Sequence, residues 1–167
     1  MATAGIVAEY NPFHWGHAWH IARTRRTLGA DTAVICVMSG HWVQRGECAL
    51  TDKWSRAALA LSGGADLVLE LPTPWAMASA EAFARGAVGL LAATGVVDVL
   101  SFGSETGELA PCRRRRRLWW SGLPGAAAGR AVWAVLPGGR RRWGPTAWPA
   151  QTTTWGGICE PCLWREP

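Results

Sequence analysis

The sequence predicts an α/β domain, a doubly wound parallel sheet, over residues 1–110, and a disordered C-terminal tail over residues 111–167. Three observations carry this. Apolar, β-branched runs alternate with helix-like stretches of 10–15 residues, the pattern of βαβ units. The runs are continuously apolar instead of alternating, as strands covered on both faces are. The composition then breaks: residues 1–110 hold 7 Lys and Arg against 10 Asp and Glu, whereas 111–167 hold 10 Arg against 2 Glu, with 7 of the 12 Trp and 7 of the 10 Pro.

Taken in order, Thr3–Tyr10 (TAGIVAEY) reads as a buried strand. Gly16–Gly29 reads as a helix closed by Gly29, with Arg23, Arg25 and Arg26 towards its C-terminal end. Thr32–Met38 is the second strand. Thr51–Gly64 is a helix opened by Thr51 or Asp52 and stopped by a glycine pair. Asp66–Leu71 is the third strand, closed by Pro72. Ser79–Gly95 is a long helix that Ser79 or Thr73 opens, and Val97–Glu105 is the fourth strand, running into a glycine loop. The tail shows no element of its own: it has only 7 Val, Ile and Leu in 57 residues, too few to offset the entropy of ordering it.

No run of 18 apolar residues exists, so no membrane span is expected, and no charged segment leads into an apolar signal. Five scattered cysteines fit free thiols in a reducing, cytoplasmic setting. Cys159-Glu-Pro-Cys162 lacks a second pair and reads as chance.

Ligands bind outside the carboxyl ends of such strands, so the loops after the strands hold the candidates. His14 and His17 flank Gly16 where the first loop turns into a helix. A helix N-terminus offers N–H groups and partial positive charge to a phosphate, glycine removes a side chain from the approach, and two imidazoles can donate to phosphate oxygens. Asn11 and Pro12 make a sharp turn before them. A metal site on His14, His17 and His20 is the competing reading; with no carboxylate at ligand spacing, no metal is expected, and His20 by itself reads as structural. Arg45 and Lys53, the lone lysine, are candidate partners for a phosphate or a carboxylate. For Arg56, function and a structural place on a capped helix weigh equally. Gly103, at the end of the fourth strand, leaves room for a nucleoside.

The order and spacing of "EYNPFHWGH", "MSGHWVQRGE", "DKWSRAALAL", "GADLVLELP", "SAEAFARGAV" and "FGSETGE" resemble the N-terminal domain of the tRNA(Met) cytidine acetate ligase family, within the nucleotidyltransferase superfamily. The resemblance spans residues 4 to about 109. It implies a HUP-type nucleotidyltransferase-like domain whose ATP-binding segment is Val7, Ala8, Glu9, Tyr10, Asn11, Pro12, Phe13, His14, Trp15, Gly16, His17, Ala18, Trp19 and His20, with Gly103 also at the nucleotide. It implies ATP and, with it, Mg²⁺; acetate, activated to acetyl-adenylate; and elongator tRNA(Met), whose wobble cytidine becomes N(4)-acetylcytidine. His41, Trp42 and Cys48 stand where the family pattern has Asn, Phe and Pro.

Residues 111–167 do not continue the resemblance. Arg, Trp, Gly, Pro and Ala are what GC-rich DNA yields out of frame, and a CGG repeat shifted by one base becomes a GCG repeat encoding alanine. The same shift applied to Ala150–Gly156 permits Pro-Asn-Asp-Asn-Leu-Gly. The expectation is therefore an out-of-frame tail on a truncated, impaired copy. Re-sequencing the codons for Glu108 to Arg117 checks it: an intact frame sinks the expectation. Two other functions remain open at this point. One is an adenylyltransferase acting on a small phosphate-bearing substrate. The other is a non-catalytic basic RNA-binding protein working through the Arg/Trp tail.

Overall fold

A computed structural model describes residues 1–104 and the strand 132–137. The elements run β1 (Thr3–Ala8), α1 (Trp15–Leu28), β2 (Ala33–Ser39), α2 (Lys53–Ser62), β3 (Leu67–Leu71), α3 (Thr73–Ala76), α4 (Ala80–Ala93), β4 (Val99–Ser104) and β5 (Val132–Pro137). Every strand pairing is parallel and the sheet order is β3-β2-β1-β4-β5. The chain thus steps outward from β1 to β3, then returns across the sheet to β4. β1 and β4 lie side by side at that reversal, and in such sheets ligands bind outside the carboxyl ends of the strands at the reversal.

Period-two burial along β2 divides the core. Val34, Cys36 and Met38 join Ile6, Ala8, Tyr10, Ile21 of α1 and Ala60 of α2 on one face. Ile35 and Val37 join Leu71, Ala76 of α3 and Phe83, Ala87 and Leu91 of α4 on the other. Each helix is set by its cap. Asp52, not Thr51, caps α2, accepting from Ser55 N at 2.9 Å. Ser79 caps α4. Thr73 instead opens the separate short helix α3, because Pro74 fits the first turn of a helix.

Two features were not expected from the sequence. Residues 41–49 fold back on themselves, with a Trp42↔Cys48 bridge around a 3₁₀ turn at Gln44–Gly46. And one stretch of the tail, where no element was expected, pairs as β5 alongside β4. Its sequence VWAVLP, an apolar run closed by proline, is a strand signal that the Arg- and Trp-rich surroundings obscure. The remaining expectations for 111–167, disorder and the Cys159/Cys162 pair among them, lie outside the described residues. Among the described residues no helix is long and apolar enough to cross a membrane.

Candidate nucleotide site

The loop from Glu9 to His14 is pinned at four points. Tyr10 is buried with a left-handed backbone (φ 49°), which its packing holds in place. Its hydroxyl donates to Cys36 Sγ at 3.1 Å, and its ring meets Phe13 at 5.0 Å and His17 at 4.8 Å. Burial and the neighbouring thiol push the phenol pKa up; burial lifts Cys36 to about 11, so both groups stay protonated. Asn11 Oδ1 accepts from Leu50 N at 2.7 Å, tying the turn at Asn11–Pro12 to the segment ahead of α2. Glu9 Oε1 accepts from Gln44 N at 2.9 Å, and Glu9 O accepts from the buried Arg56 guanidinium at 2.7 Å.

His14 is the N-cap of α1. Its Nδ1 accepts from Gly16 N at 3.0 Å, and its own N–H donates to His17 Nδ1 at 3.2 Å, a reciprocal capping box built from two imidazoles. The rings stack at 3.8 Å. Because each Nδ1 lone pair already faces a backbone N–H, the neutral tautomer of each ring carries its proton on Nε2. Both histidines are thereby set as Nε2 donors. Gly16 is needed for this geometry, since a Cβ there would stand 2.8 Å from His14 Cε1.

This arrangement alters one expectation. The first-turn N–H groups of α1 are mostly occupied: Gly16 N by the His14 ring, His17 N and Ala18 N by His14 O. What this end leaves uncommitted is the two Nε2–H groups, the Trp15 N–H and the helix dipole, not a row of free amides.

Burial disfavours the charged form of the rings. It lowers the His14 pKa, and together with His14 and His20 it pushes His17 down to about 3. His20 is pushed to about 4 by burial; its Nε2 lies 3.0 Å from Ser101 Oγ, which also meets Thr24 Oγ1 at 2.7 Å, so it anchors α1 to β4. The unfolded chain takes up protons on these rings near pH 6.5, the folded chain only near 3 to 4. Stability is therefore full above about pH 6.5 and is lost as pH falls towards 4. Urea midpoints at about pH 7 and 4.5 are expected to differ in that sense, and His20→Gln to shrink the difference; an equal drop in that variant would contradict the assignment.

The remaining expected site residues divide. Gly103, near the end of β4, lies across the sheet reversal from the histidine loop, with nothing among the described residues within 4 Å of where a Cβ would stand. Phe13 packs on the core, Val7 and Ala8 are strand residues of the two core faces, and Ala18 is half-buried. Pro12, Trp15 and Trp19 face solvent. Lys53 opens α2, with Nζ 2.7 Å from Glu70 Oε2 and 5.2 Å from the Trp54 ring centre, so its charge already has a carboxylate. Arg45 lies in the 3₁₀ turn. One group escaped the sequence reading: Gln44 Nε2 is buried with no acceptor among the described residues, an expensive state that a bound acceptor relieves.

A family model described as HIGH Nucleotidyl Transferase matches residues 1–121. The chain belongs to this family. The HIGH nucleotidyl transferase module here is similar to curated relatives named tRNA(Met) cytidine acetate ligase. It is 54% identical to the one from Acetivibrio thermocellus over 109 residues, 65% of this chain and 26% of that protein. It is 55% identical to the one from Syntrophotalea carbinolica over 118 residues, 71% of this chain and 28% of that protein. The crystal structure of Thermotoga maritima TmcAL bound with alpha-thio ATP superposes with a TM-score of 0.67 at 46% identity, covering 73% of this chain and 29% of that one. The chain thus spans about a quarter of the length of the curated relatives it matches.

Proposed function

We propose that the chain carries the ATP-activating end of a tRNA(Met) cytidine acetate ligase. The observation that bears most weight is the pair of imidazoles fixed as Nε2 donors at the N-terminus of α1, across the sheet reversal from the open Gly103. A relative of the same name at 54% identity and a similar structure that binds an ATP analogue support it.

An acetate carboxylate oxygen attacks the α-phosphorus of ATP. The bond from that phosphorus to the bridging oxygen breaks, and pyrophosphate leaves with the electron pair. His14 and His17 donate from Nε2 to the phosphate oxygens on which charge grows, without changing protonation state. The exocyclic amine of the wobble cytidine in elongator tRNA(Met) then attacks the acetyl carbonyl. AMP departs and the amine loses a proton, leaving N(4)-acetylcytidine. Mg²⁺ would arrive on the ATP phosphates; among the described residues no group of three ligating side chains is assembled for it. Arg45, Lys53 and the unsatisfied Gln44 amide are the contacts we assign to acetate or phosphate, with Lys53 exchanging Glu70 for the ligand. Such work on tRNA places the protein in the cytoplasm.

Acetate-dependent exchange of labelled pyrophosphate into ATP tests the reading. Exchange that ignores acetate but follows another small substrate would transfer the site to the adenylyltransferase class. Gly103→Val isolates the nucleotide contact. The fold has room for the side chain, so thermal stability should hold while ATP affinity falls by roughly tenfold or more. Unchanged affinity would move the nucleoside elsewhere.

A further inference from the structure

The solvent face of α1 carries a stripe that neither the core nor the histidine pair uses. Trp15, Trp19, Ala22 and Arg26 follow one another at helical spacings of four, three and four, so they share one side of the helix. Trp15 is 88% exposed and Trp19 45%. Ala22 and Arg26 are exposed, and Arg23 lies half-buried beside them. Arg25, by contrast, is committed to Asp66, Gly64 O and Thr32 O. Arg23 and Arg26 make no ion pair among the described residues, and α1 contains no Asp or Glu. From Trp15 to Arg26 the stripe runs about 16 Å along the helix. It begins at the residue next to His14.

Two large rings in water, followed by unpaired guanidinium groups, match the chemistry of an unstacked nucleic-acid strand. Bases lie on aromatic faces and phosphates meet arginine. A second copy of the chain fits this face poorly, because it would set arginine against arginine. We propose that this face of α1 binds single-stranded RNA, with loop bases stacked on Trp15 and Trp19 and the backbone held by Arg23 and Arg26. The proposal rests on the acetate-ligase reading, which brings an unpaired loop cytidine to the histidine end of α1, and it adds to that reading the surface that presents the loop.

The test uses the full chain and two labelled RNAs: a hairpin with a cytidine-containing loop, and a blunt duplex of the same stem. The arginines of residues 111–167 act on both RNAs, so the difference between them isolates the helix face. Trp15→Ala/Trp19→Ala is expected to weaken hairpin binding by about tenfold or more and to leave duplex binding unchanged. Trp15→Phe/Trp19→Phe should recover most of the loss, because stacking survives. Arg23→Gln/Arg26→Gln should flatten the salt dependence of hairpin binding by about 1.4 in slope. Hairpin binding indifferent to the Trp→Ala changes, or hairpin and duplex weakened alike, overturns the proposal. Wild-type binding of a non-hydrolysable acetyl-adenylate mimic, measured alongside, separates the two readings. Mimic binding with a hairpin affinity that ignores the tryptophans removes this proposal alone. A Trp-dependent hairpin preference without mimic binding removes the acetate reading and keeps the RNA face.

Discussion

Replacing His17 by Ala is expected to lower acetate-dependent pyrophosphate exchange by about 10²–10³-fold, with a smaller loss in ATP affinity. That is the range for removing one pre-set donor from a developing oxyanion. His17 has two jobs. Its Nδ1 accepts the His14 N–H at 3.2 Å, completing the cap, which leaves Nε2–H as the ring's donor. His17→Asn separates them. Its side-chain oxygen can still accept from His14 N, so the helix start and the melting temperature should survive while exchange stays low. If His17→Asn recovers exchange to within about threefold of the wild type, the Nε2 donor is not what catalysis needs and the phosphate assignment fails. The pH profile gives an independent reading. With His17 held near 3, that ring gains no proton between about pH 5 and 8, and burial sets His14 below its ordinary value. Exchange should show no His17 titration in that range, and any His14 step should fall below the ordinary imidazole value; a clear inflection near pH 6.5 would mean an exposed, charged ring and a different mechanism.

Much of this was legible in the sequence, and the reasons are local. Continuous apolar runs and capping residues located β1 to β4 and α1, α2 and α4 to within two residues at either end. The tight turn at Asn11–Pro12, the glycine between the histidines and Gly103 pointed to the carboxyl edge of the sheet, and His14, His17 and Gly103 do lie at the carboxyl ends of β1 and β4. What the sequence hid is what depends on partners far along the chain. That both histidines use Nδ1 for the backbone, and so must donate from Nε2, follows from hydrogen bonds and not from spacing. Lys53 looked like a free cation because Glu70, seventeen residues on, is adjacent only once β3 pairs with β2. Gln44 carried no signal at all, being one polar residue in a polar loop. The α1 tryptophans and arginines were not read as a stripe, because which face meets water is decided by the packing of Ile21 and Thr24 against the sheet.

Arg56 was also legible in part, since it lies one helical turn before Ala60 on the face of α2 that turns to the core. A charge on a core-facing position needs partners there, and these partners are carbonyls. Its guanidinium donates to Thr51 O at 3.2 Å, to Glu9 O at 2.7 Å and to Gly40 O. Those oxygens belong to the start of α2 and to the first turns of the chain after β1 and β2, so a single fully buried side chain ties three segments of the site edge together. Burial lowers its pKa, against the pull of Asp52, Glu9 and Glu70, yet an arginine starts so high that it stays charged. Arg56→Leu would leave Gly40 O buried without this donor, take one donor from the part-buried Thr51 O, and leave Glu9 O with only the long 3.4 Å contact from Ser39 Oγ. At about 1–3 kcal/mol for each stranded acceptor, the expected loss is about 3 kcal/mol or more, measured as the fall in unfolding free energy in urea. Arg56→Lys keeps the charge but lacks the fork that reaches three oxygens, and should lose roughly half as much. If Arg56→Leu unfolds within about 0.5 kcal/mol of the wild type, as substitutions away from buried networks do, the site edge is held by something else. The functional consequence follows from the same bonds. Glu9 O begins the histidine loop, so even at temperatures where Arg56→Lys is fully folded, its ATP affinity should be weaker than that of the wild type, because the loop that sets His14 and His17 has lost part of its anchor.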